Sequence, residues 1–465
     1  MLFSSISFVY YFLPLVLIVY FSVPKKLKNY WLLASSLFFY FWGEPVFTAL
    51  MLSSIAVNFL LGLYIGKKRG AVSSRRVLAA AIIANLLVLG FFKYADFVIS
   101  IINGVTGAGM PLLRLPLPLG ISFYTFQIIS YVVDVYRGEV GVTKNPLNFA
   151  TYVSFFPQRL AGPIVNYKTV QNELTDRRHS MADFAQGAER FVIGLAKKVL
   201  IADQLTELYA AAASPAQNSV AFSWLSVIIF ALQVYFDFSG YSDMAIGLGR
   251  VFGFKFLENF NYPFISSSIS EFWRRWHISL GTWFREYLYI PLGGSRVSRL
   301  KWLRNLFVVW FATGLWHGAS WNFILWGLYF GVMLGLEKIV LGRLIEKWPS
   351  AIRHFYTIAI VTFSFVIFQN ETVLAGIKQF GAMFGAAKLP AFGAETLYVL
   401  RSFALLIVIA IIGATPLPKK IALALRTKAP KVMTIAEPVF IACMLLLCTA
   451  YLMDSTFNPF LYFRF

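Results

Sequence analysis

Long apolar segments separated by short polar ones run along almost the whole chain. A helix needs about 20 residues to cross the hydrocarbon core of a membrane, and several segments are shorter than that. Short apolar segments are typical of half-spanning, re-entrant or interfacial helices. The pattern therefore predicts an all-α integral membrane protein with about 11 membrane spans plus re-entrant pieces. The apolar segments lie at residues 3–23, 30–43, 46–66, 78–103, 118–136, 146–165, 188–204, 222–236, 240–254, 306–316, 320–341, 355–369, 399–416 and 434–453.

The composition agrees with this pattern. Of the 465 residues, 58% are hydrophobic and only 13% are charged, and the mean hydropathy is +0.68. Polytopic membrane proteins have such a composition, whereas soluble proteins of this length rarely do. Since no polar stretch is long enough to fold as a separate soluble domain, we expect one membrane domain over residues 1–465. The first apolar segment lacks a basic leader and a cleavage site, so we expect it to stay as the first membrane helix.

The basic residues predict the orientation of the chain. Lysine and arginine outnumber acidic residues 41 to 21, and they cluster in short loops at residues 25–28, 67–76 and 176–178. Such loops are typically cytoplasmic, which would place the N-terminus outside. The proline-rich loop around Pro111 and Pro116 would then face outward. The positive charge is thus explained without nucleic acid, although part of it could serve an anionic substrate.

The region from Phe254 to Arg304 is aromatic, basic and interrupted. Ser268-Ile-Ser-Glu271 fits a capping box and predicts a helix from about residue 269. On one continuous helix Trp273, Trp276, His277, Leu280 and Phe284 would share a face. Glu271 and Arg275 would pair four residues apart. This charged helix should lie at the membrane surface or dip into the protein, and it should end at Pro291-Leu-Gly-Gly294, before a basic cluster. That basic cluster consists of Arg296, Arg299, Lys301 and Arg304.

An ionisable side chain, His317, stands in the apolar segment TGLWHGASW. Ionisable groups at membrane depth are rare, and most of them face a protein interior or a water-filled cavity. On a continuous helix Thr313 and Ser320 would share the face of His317, while Gly314 and Gly318 would allow a second backbone to approach closely. A buried neutral imidazole can accept a proton, which suits a general base acting on a hydroxyl. The alternative is a histidine that is only hydrogen-bonded within a helix bundle.

The other histidines carry weaker signals. His277 is either an interfacial residue among tryptophans or a second polar group that orients or polarises a substrate carbonyl. With Arg274 and Arg275 it could also bind an anionic donor. His179 lies in a basic polar loop, where exposure is expected. His354 is expected to be an interfacial anchor.

Two further motifs combine polar residues with helix-breaking patterns. YFDFSGYSD, residues 235–243, places Asp237 and Asp243 between apolar segments, where paired structural acids near a helix break are expected. FFPQRLAGP, residues 155–163, has prolines flanking a short turn, which predicts a re-entrant element. Metal, P-loop nucleotide and serine-hydrolase sites have no support, because GxSxG, P-loop, HExxH and CxxC patterns do not occur. Cys443 and Cys448 share one apolar segment, where packing is their expected role.

At these motifs the sequence resembles the membrane-bound O-acyltransferase (MBOAT) family, and most of all its bacterial branch of alginate and peptidoglycan O-acetylation membrane subunits. The ending YIPLGG favours this branch over the related D-alanyl transfer subunit of teichoic-acid modification. Arg159 departs from the pattern, which has an apolar residue near that position. The matching stretches are SFYTFQIISYVVDVYRG, FFPQRLAGPI, YFDFSGYSDMAIGLGRVFGFKFLENFNYPF, EFWRRWHISLGTWFREYLYIPLGGSR, LWHGASWNFILWG and the terminal PFLYFRF.

The resemblance implies a fold and a site. The fold would be a ring of about 11 transmembrane helices, with re-entrant and interfacial helices around a central tunnel. The active-site histidine of the family maps to His317, and its second polar position maps to His277. The residues expected to bind the donor or line the tunnel are Trp273, Arg274, Arg275, Trp276, Tyr241, Ser242, Asp243, Trp316 and Asn322.

The resemblance also implies an activity. The protein would be an O-acetyltransferase of the bacterial cytoplasmic (inner) membrane that moves acetyl from a cytoplasmic thioester donor, acetyl-CoA, toward an extracytoplasmic polysaccharide. An SGNH-type acetyltransferase outside the membrane would be the partner, with no permanently bound cofactor, no metal and no nucleic acid.

Three alternatives stay open. One is a transporter of polysaccharide or lipid-linked sugar, although neither a broad polar path nor an inverted repeat is evident in the sequence. Another is a D-alanyl transfer subunit, and the third is a noncatalytic scaffold for an outer transferase.

Overall fold

The computed structural model describes residues 2–159, 162–212 and 219–454. Within these ranges all regular secondary structure is helical, which confirms the predicted all-α class. The terminal motif PFLYFRF, residues 459–465, lies outside the described residues. The α-helices are α1 (Leu13–Ser22), α2 (Lys28–Gly43), α3 (Pro45–Lys67), α4 (Val72–Thr106), α5 (Ile121–Arg137), α6 (Pro146–Ser154), α7 (Tyr167–Thr175), α8 (Met181–Ala196), α9 (Asp203–Ala212), α10 (Val220–Val251), α11 (Ile269–Arg275), α12 (Ile278–Phe284), α13 (Arg299–His317), α14 (Trp321–Leu336), α15 (Gly342–Ile345), α16 (Ser350–Gln369), α17 (Val373–Met383), α18 (Ala394–Ser402), α19 (Ala404–Gly413), α20 (Leu417–Lys428) and α21 (Pro430–Asp454).

Short π-helical and 3₁₀ segments extend or join these helices. Four π-helical segments lie at Ser7–Phe12, Lys197–Ala202, Arg285–Tyr289 and Glu337–Leu341. Three 3₁₀ turns lie at Lys25–Leu27, Phe156–Gln158 and Pro263–Ile265. The segments Arg285–Tyr289 and Glu337–Leu341 directly follow α12 and α14. π-Helical turns often occur near functional sites.

Six helices in the described part of the chain are long and apolar enough to cross a membrane, or seven if α18 and α19 form one bent span. This confirms a multi-span membrane protein. The expected count of about 11 is not confirmed, since several predicted segments form shorter helices such as the 17-residue α5. The six candidate spans are Pro45–Lys67, Val72–Thr106, Val220–Val251, Trp321–Ile345, Ser350–Gln369 and Pro430–Asp454.

The chain divides into two compact units. The first comprises Met1–Phe191 and Ser242–Glu258, and the second comprises Val192–Tyr241 and Asn259–Phe465. The division passes through α10, which is one continuous helix from Val220 to Val251. The predicted helix break within YFDFSGYSD is therefore wrong. A Cβ added to Gly240 would lie 2.7 Å from the Gly194 carbonyl oxygen. The glycine thus allows the backbone near Gly194 to pack closely against α10 within the motif, where the helix continues without a break.

In the first unit, Asn29, which follows the predicted cytoplasmic loop at residues 25–28, contacts the predicted cytoplasmic loop at residues 176–178 and the end of α7 before it. The side chain of Asn29 donates to the carbonyl of Leu174 over 2.7 Å. Arg177 donates to the Asn29 side-chain oxygen over 2.6 Å. Loops in hydrogen-bond contact lie on the same side of a membrane, so the geometry agrees with the common side that their charge predicts.

At the FFPQRLAGP segment α6 ends at Ser154 and a 3₁₀ turn follows at Phe156–Gln158. Arg159 at its end is buried. Its guanidinium donates to the carbonyl of Val153 over 2.8 Å, and it lies 4.4 Å from the Tyr40 ring centroid and 5.1 Å from that of Tyr124. These cation–π contacts explain how an arginine is accommodated where the family pattern has an apolar residue.

The second unit contains a closely packed helical hairpin of α13 and α14. A methyl group on Gly314 would collide with the carbonyl oxygen of Phe323, and one on Gly327 would collide with that of Trp310. The close backbone approach predicted for Gly314 is therefore confirmed. The one predicted for Gly318 is wrong, because Gly318 follows the last residue of α13 and lies against the Phe323 side chain. Around the hairpin packs an aromatic core that includes Trp310, Trp326 and Phe330.

Candidate active site

The predicted helix around His277 is two short helices with a break between them. α11 ends at Arg275 and α12 begins at Ile278, so the prediction of one continuous helix is wrong. His277 has φ 45° and ψ 53°, in the left-handed region. For a residue other than glycine this conformation costs about 1–3 kcal/mol and often occurs at functional sites.

The start of α11 is fixed as the sequence predicts. The Ser268 hydroxyl accepts from the backbone N–H of Glu271 over 3.1 Å, and Glu271 pairs with Arg275 over 2.9 Å. The buried carboxylate of Glu337 also accepts from the N–H groups of Ile269 and Ser270, over 2.7 and 3.0 Å. A carboxylate at a helix N-terminus satisfies free N–H groups and the helix dipole, so it anchors α11 against the end of α14.

The side chain of His277 is held by Asn259 and Ser279. Its Nδ1 lies 3.2 Å from Asn259 Oδ1, and the Ser279 hydroxyl lies 3.5 Å from the same nitrogen. The hydroxyl and the backbone N–H of Ser279 both approach Asn259 Oδ1, at 2.8 and 3.3 Å. Because a backbone N–H can only donate, this atom of Asn259 must be the oxygen, and His277 Nδ1 must carry the proton.

The other ring nitrogen of His277 is therefore unprotonated. His277 Nε2 is buried and has no hydrogen-bond partner among the residues that the structure describes. The ring is only 1% exposed, and burial lowers the pKa of His277 to about 3. The imidazole is thus neutral at pH 7, with a lone pair on Nε2 that can accept a hydrogen bond or a proton.

His317 is the last residue of α13, at the tip of the hairpin. Ser320 precedes α14 as its N-cap residue, so the expectation that Ser320 shares a helix face with His317 is wrong. The imidazole is 5% exposed. It packs edge-on against Trp326, Trp316 and Phe368, with ring centroids 4.7, 5.1 and 5.6 Å away.

One tryptophan contacts both histidines. The Trp316 ring centroid lies 5.8 Å from that of His277 and 5.1 Å from that of His317. The second unit therefore brings together the two imidazoles that the sequence singles out. On its other side, His277 meets Phe238 of α10 edge-on, with centroids 4.6 Å apart.

Trp326 adds a donor to this cluster. Its indole N–H is buried and has no acceptor among the described residues, as is also true of Trp273. Trp273 packs against Trp326 and Phe330, with centroids 5.7 and 4.8 Å away. A buried N–H without an acceptor costs free energy unless a ligand supplies an oxygen.

The other predicted residues of α11 have more structural contacts. Trp276 stacks on Phe272, with ring centroids 5.5 Å apart, inside the aromatic core. Arg275 pairs with Glu271 and donates to the carbonyl of Asn261 over 3.0 Å. Arg274 is exposed. Arg275 is therefore held in structural contacts, and Arg274 lies at the surface. Neither arginine makes a hydrogen bond or ion pair with His277 among the described contacts.

The remaining predicted residues lie on α10 and α14. Tyr241 and Ser242 are buried on α10, and Asp243 pairs with Arg190 over 2.8 Å within the first unit. Asp237 pairs with the buried Lys198 over 2.9 Å in the second unit. These ion pairs favour the structural interpretation of both acids.

Asn322 lies at the start of α14 and donates to the carbonyl of Asn370 over 2.7 Å. Asn370 in turn donates to Gln379 over 2.6 Å. Asn322 therefore belongs to a buried polar network that joins α14 to α16 and α17.

Sequence reasoning did not find Asn259, Ser279 or Trp326 as functional residues. Asn259 lies 18 positions before His277, outside any helical periodicity that could connect them. The sequence signal that could have indicated Asn259 is its position in ENFNYPF, which is part of a stretch that matches the family. Among the described residues, no group of three or more His, Cys, Asp or Glu side chains is placed to hold a metal ion.

Comparison with known proteins places this site in a family. Residues 135–375, which include both histidines, match MBOAT, the membrane-bound O-acyltransferase family. The chain is 41% identical over 389 residues to a protein of Azotobacter vinelandii named probable alginate O-acetylase AlgI, covering 83% of this chain and 78% of that one. It is 40% identical over 438 residues to the protein of the same name from Pseudomonas aeruginosa, covering 93% and 84%.

A third relative carries a different name. The peptidoglycan O-acetyltransferase of Helicobacter pylori is 36% identical over 423 residues, covering 83% of this chain and 80% of that protein. The chain therefore belongs to the membrane-bound O-acyltransferase family and is a membrane-embedded O-acyltransferase.

Proposed function

We propose that the protein transfers acetyl groups from a cytoplasmic thioester donor, acetyl-CoA, across the bacterial cytoplasmic membrane for O-acetylation of an extracytoplasmic polysaccharide. An SGNH-type acetyltransferase outside the membrane would complete the transfer. The observation that carries this proposal is the pair of buried imidazoles, His277 and His317, that contact the same tryptophan. The names of the relatives support acetyl as the acyl group and a polysaccharide as the acceptor.

In this proposal His317 is the general base. It takes the proton of the acceptor hydroxyl as the hydroxyl oxygen attacks the thioester carbonyl; the C–S bond then breaks and the thiolate of the donor leaves. The Trp326 indole N–H donates to the carbonyl oxygen as negative charge develops there. Donors aimed at such an oxygen in a dry site supply much of the rate enhancement in acyl transfer.

The position of His317 along α13 suits an acceptor from the outer side. α13 begins at Arg299, within the basic cluster that charge places in the cytoplasm. His317 is the nineteenth residue of this helix, about 27 Å further along at 1.5 Å per residue. The basic cluster at Arg296 to Arg304 could meanwhile attract the phosphates of CoA.

The test compares His317→Ala with wild type and with His179→Ala, which replaces an exposed histidine. Purified proteins in liposomes are given radiolabelled acetyl-CoA, and the transferred acetyl is measured. We expect His317→Ala to lose about 10²–10⁴-fold in rate because it lacks the base, while His179→Ala stays near wild type. When His317→Ala replaces the native protein in cells, polysaccharide acetylation should fall relative to cells that produce wild type.

The result that would contradict the proposal is normal acetyl content with His317→Ala at wild-type protein levels. That outcome favours a transporter. Absence of acetyl-CoA binding by the purified wild-type protein, measured calorimetrically, favours a scaffold that only docks the outer transferase.

A further inference from the structure

We propose that Asn259 is a positioning residue that fixes His277 as a hydrogen-bond acceptor at Nε2. The proposal rests on the proposed function and refines the part of His277 in it. The sequence left open whether His277 polarises the thioester carbonyl, which requires an N–H donor. The structure instead presents a nitrogen that can only accept.

Three hydrogen bonds converge on one atom of Asn259. Asn259 Oδ1 receives the hydroxyl of Ser279 at 2.8 Å, the backbone N–H of Ser279 at 3.3 Å and the Nδ1–H of His277 at 3.2 Å. Asn259 is fully buried, with 0% exposure. Donors on two sides of the amide oxygen leave it no freedom to exchange places with the amide nitrogen.

The backbone of residues 259–261 also stabilises the break between α11 and α12. The Asn259 carbonyl accepts from the N–H of Ile278 over 3.0 Å, directly after His277. The N–H of Asn261 donates to the carbonyl of Arg275 over 2.9 Å, directly before the break. Residues 259–261 therefore hold His277 from both sides in its left-handed conformation, and the orientation of the ring is fixed together with its tautomer.

The His277 ring is surrounded by uncharged side chains. Its neighbours from the packed elements are Phe238 of α10, Trp316 of α13, Asn259 and Ser279, none of which carries a charge. Within the part of the chain that the structure describes, burial is the one cause that shifts the pKa of His277, so no charged side chain there favours the imidazolium form and the Nε2 lone pair stays available. Nε2 of His277 would accept a hydrogen bond from an O–H or N–H of the substrate and hold that group near His317. The Trp326 N–H would donate to the thioester carbonyl oxygen.

The first experiment compares Asn259→Asp with wild type across pH in the liposome assay. The carboxylate still accepts from Nδ1–H, but its charge favours imidazolium, so His277 becomes protonated at higher pH. We expect activity near wild type at alkaline pH and an acid limb of the kcat profile moved upward by at least one pH unit. A uniform loss at all pH values indicates a purely structural role and overturns the proposal. Asn172→Asp, at an exposed position on α7, controls for the added charge.

A second variant separates binding from turnover. Asn259→Ala removes the acceptor for Nδ1, so Nε2–H becomes as favourable as Nδ1–H. We expect kcat to fall on the order of 10–100-fold, as for other residues that orient a reactive histidine, with a smaller change in the KM for acetyl-CoA. An unchanged kcat in folded protein overturns the proposal.

The third measurement reads the tautomer without activity. ¹⁵N-histidine NMR of the wild-type protein in lipid, with His277 assigned by comparison with His277→Gln, distinguishes Nδ1–H from Nε2–H. A neutral Nδ1–H ring supports the proposal, and an Nε2–H ring overturns it. Failure of the proposed function would instead appear as full activity of His317→Ala, so the two failures are distinguishable.

Discussion

At the scale of single residues, the most informative groups are the buried polar atoms near His317. The indole N–H of Trp326 lies on a ring that touches His317 at 4.7 Å between centroids. It lacks an acceptor among the described residues. A buried indole N–H needs an acceptor, and we expect a substrate oxygen to supply it.

Trp326→Phe tests this assignment, because phenylalanine keeps an aromatic ring and removes the N–H. We expect kcat to fall on the order of 10²-fold, the usual effect of losing one donor to a developing oxyanion, with little change in protein level. The liposome acetyl-transfer assay measures it. Trp310→Phe is the matched control, since Trp310 packs against the same cluster. Equal effects of the two substitutions would attribute the loss to packing.

At this scale the sequence predicts some residues and not others, for a physical reason. His317 and His277 stand out because ionisable groups are costly in apolar segments. Asn259 and Trp326 do not stand out, since amide and indole groups are common near membranes and their importance depends on tertiary contacts. The role of Asn259 follows only from three donors meeting at one oxygen.

At the scale of elements, the close contact of α13 and α14 positions His317. The two helices touch at Gly314 and Gly327, where a Cβ would meet backbone atoms. Flexible side chains can move aside, whereas backbone carbonyls held in helical hydrogen bonds cannot. The hairpin is therefore expected to tolerate no side chain at these positions.

Gly314→Ala is expected to destabilise the protein by about 1–3 kcal/mol or more, as overpacking does in other cores. The midpoint of thermal unfolding in detergent measures this, and acyl transfer should fall with it because His317 lies three residues further on. Gly104→Ala provides the contrast. A Cβ on Gly104 meets nothing within 4 Å, so alanine should leave the midpoint unchanged or raise it slightly. A Gly314→Ala protein as stable as wild type would show that the hairpin can separate.

The element boundaries show which local signals were sufficient. The capping box at Ser268 correctly predicts the start of α11, because it acts through contacts within four residues. The break at His277 was not predicted, since it depends on the hydrogen bonds of residues 259–261 from another part of the chain. The continuity of α10 was missed for a similar reason, because the contact of Gly240 with the Gly194 backbone and the ion pair of Asp237 with the buried Lys198 both depend on another part of the chain.

At the scale of the whole molecule, hydropathy correctly predicts an all-α membrane protein but does not settle the number of spans. Six or seven helices in the described ranges pass the length and hydropathy criteria. Helices such as α2, with 16 residues, fall short of the length of a full span. Hydropathy cannot distinguish a short tilted span from a half-spanning helix, because this depends on what each helix packs against.

The orientation of the chain yields a prediction that decides from which side each substrate arrives. Lys26 and Arg178 are exposed in two basic loops of the first unit, and Leu113 is exposed in the proline-rich loop after α4. In a Cys443→Ser background, single cysteines at positions 26 and 178 should react with a membrane-impermeant maleimide only after the cells are opened. A cysteine at position 113 should react in intact cells. In the proposed function the thioester donor is cytoplasmic, so this orientation would place the basic loops on the donor side. Labelling of position 26 or 178 in intact cells would contradict this orientation, because the basic loops of the first unit would then lie outside.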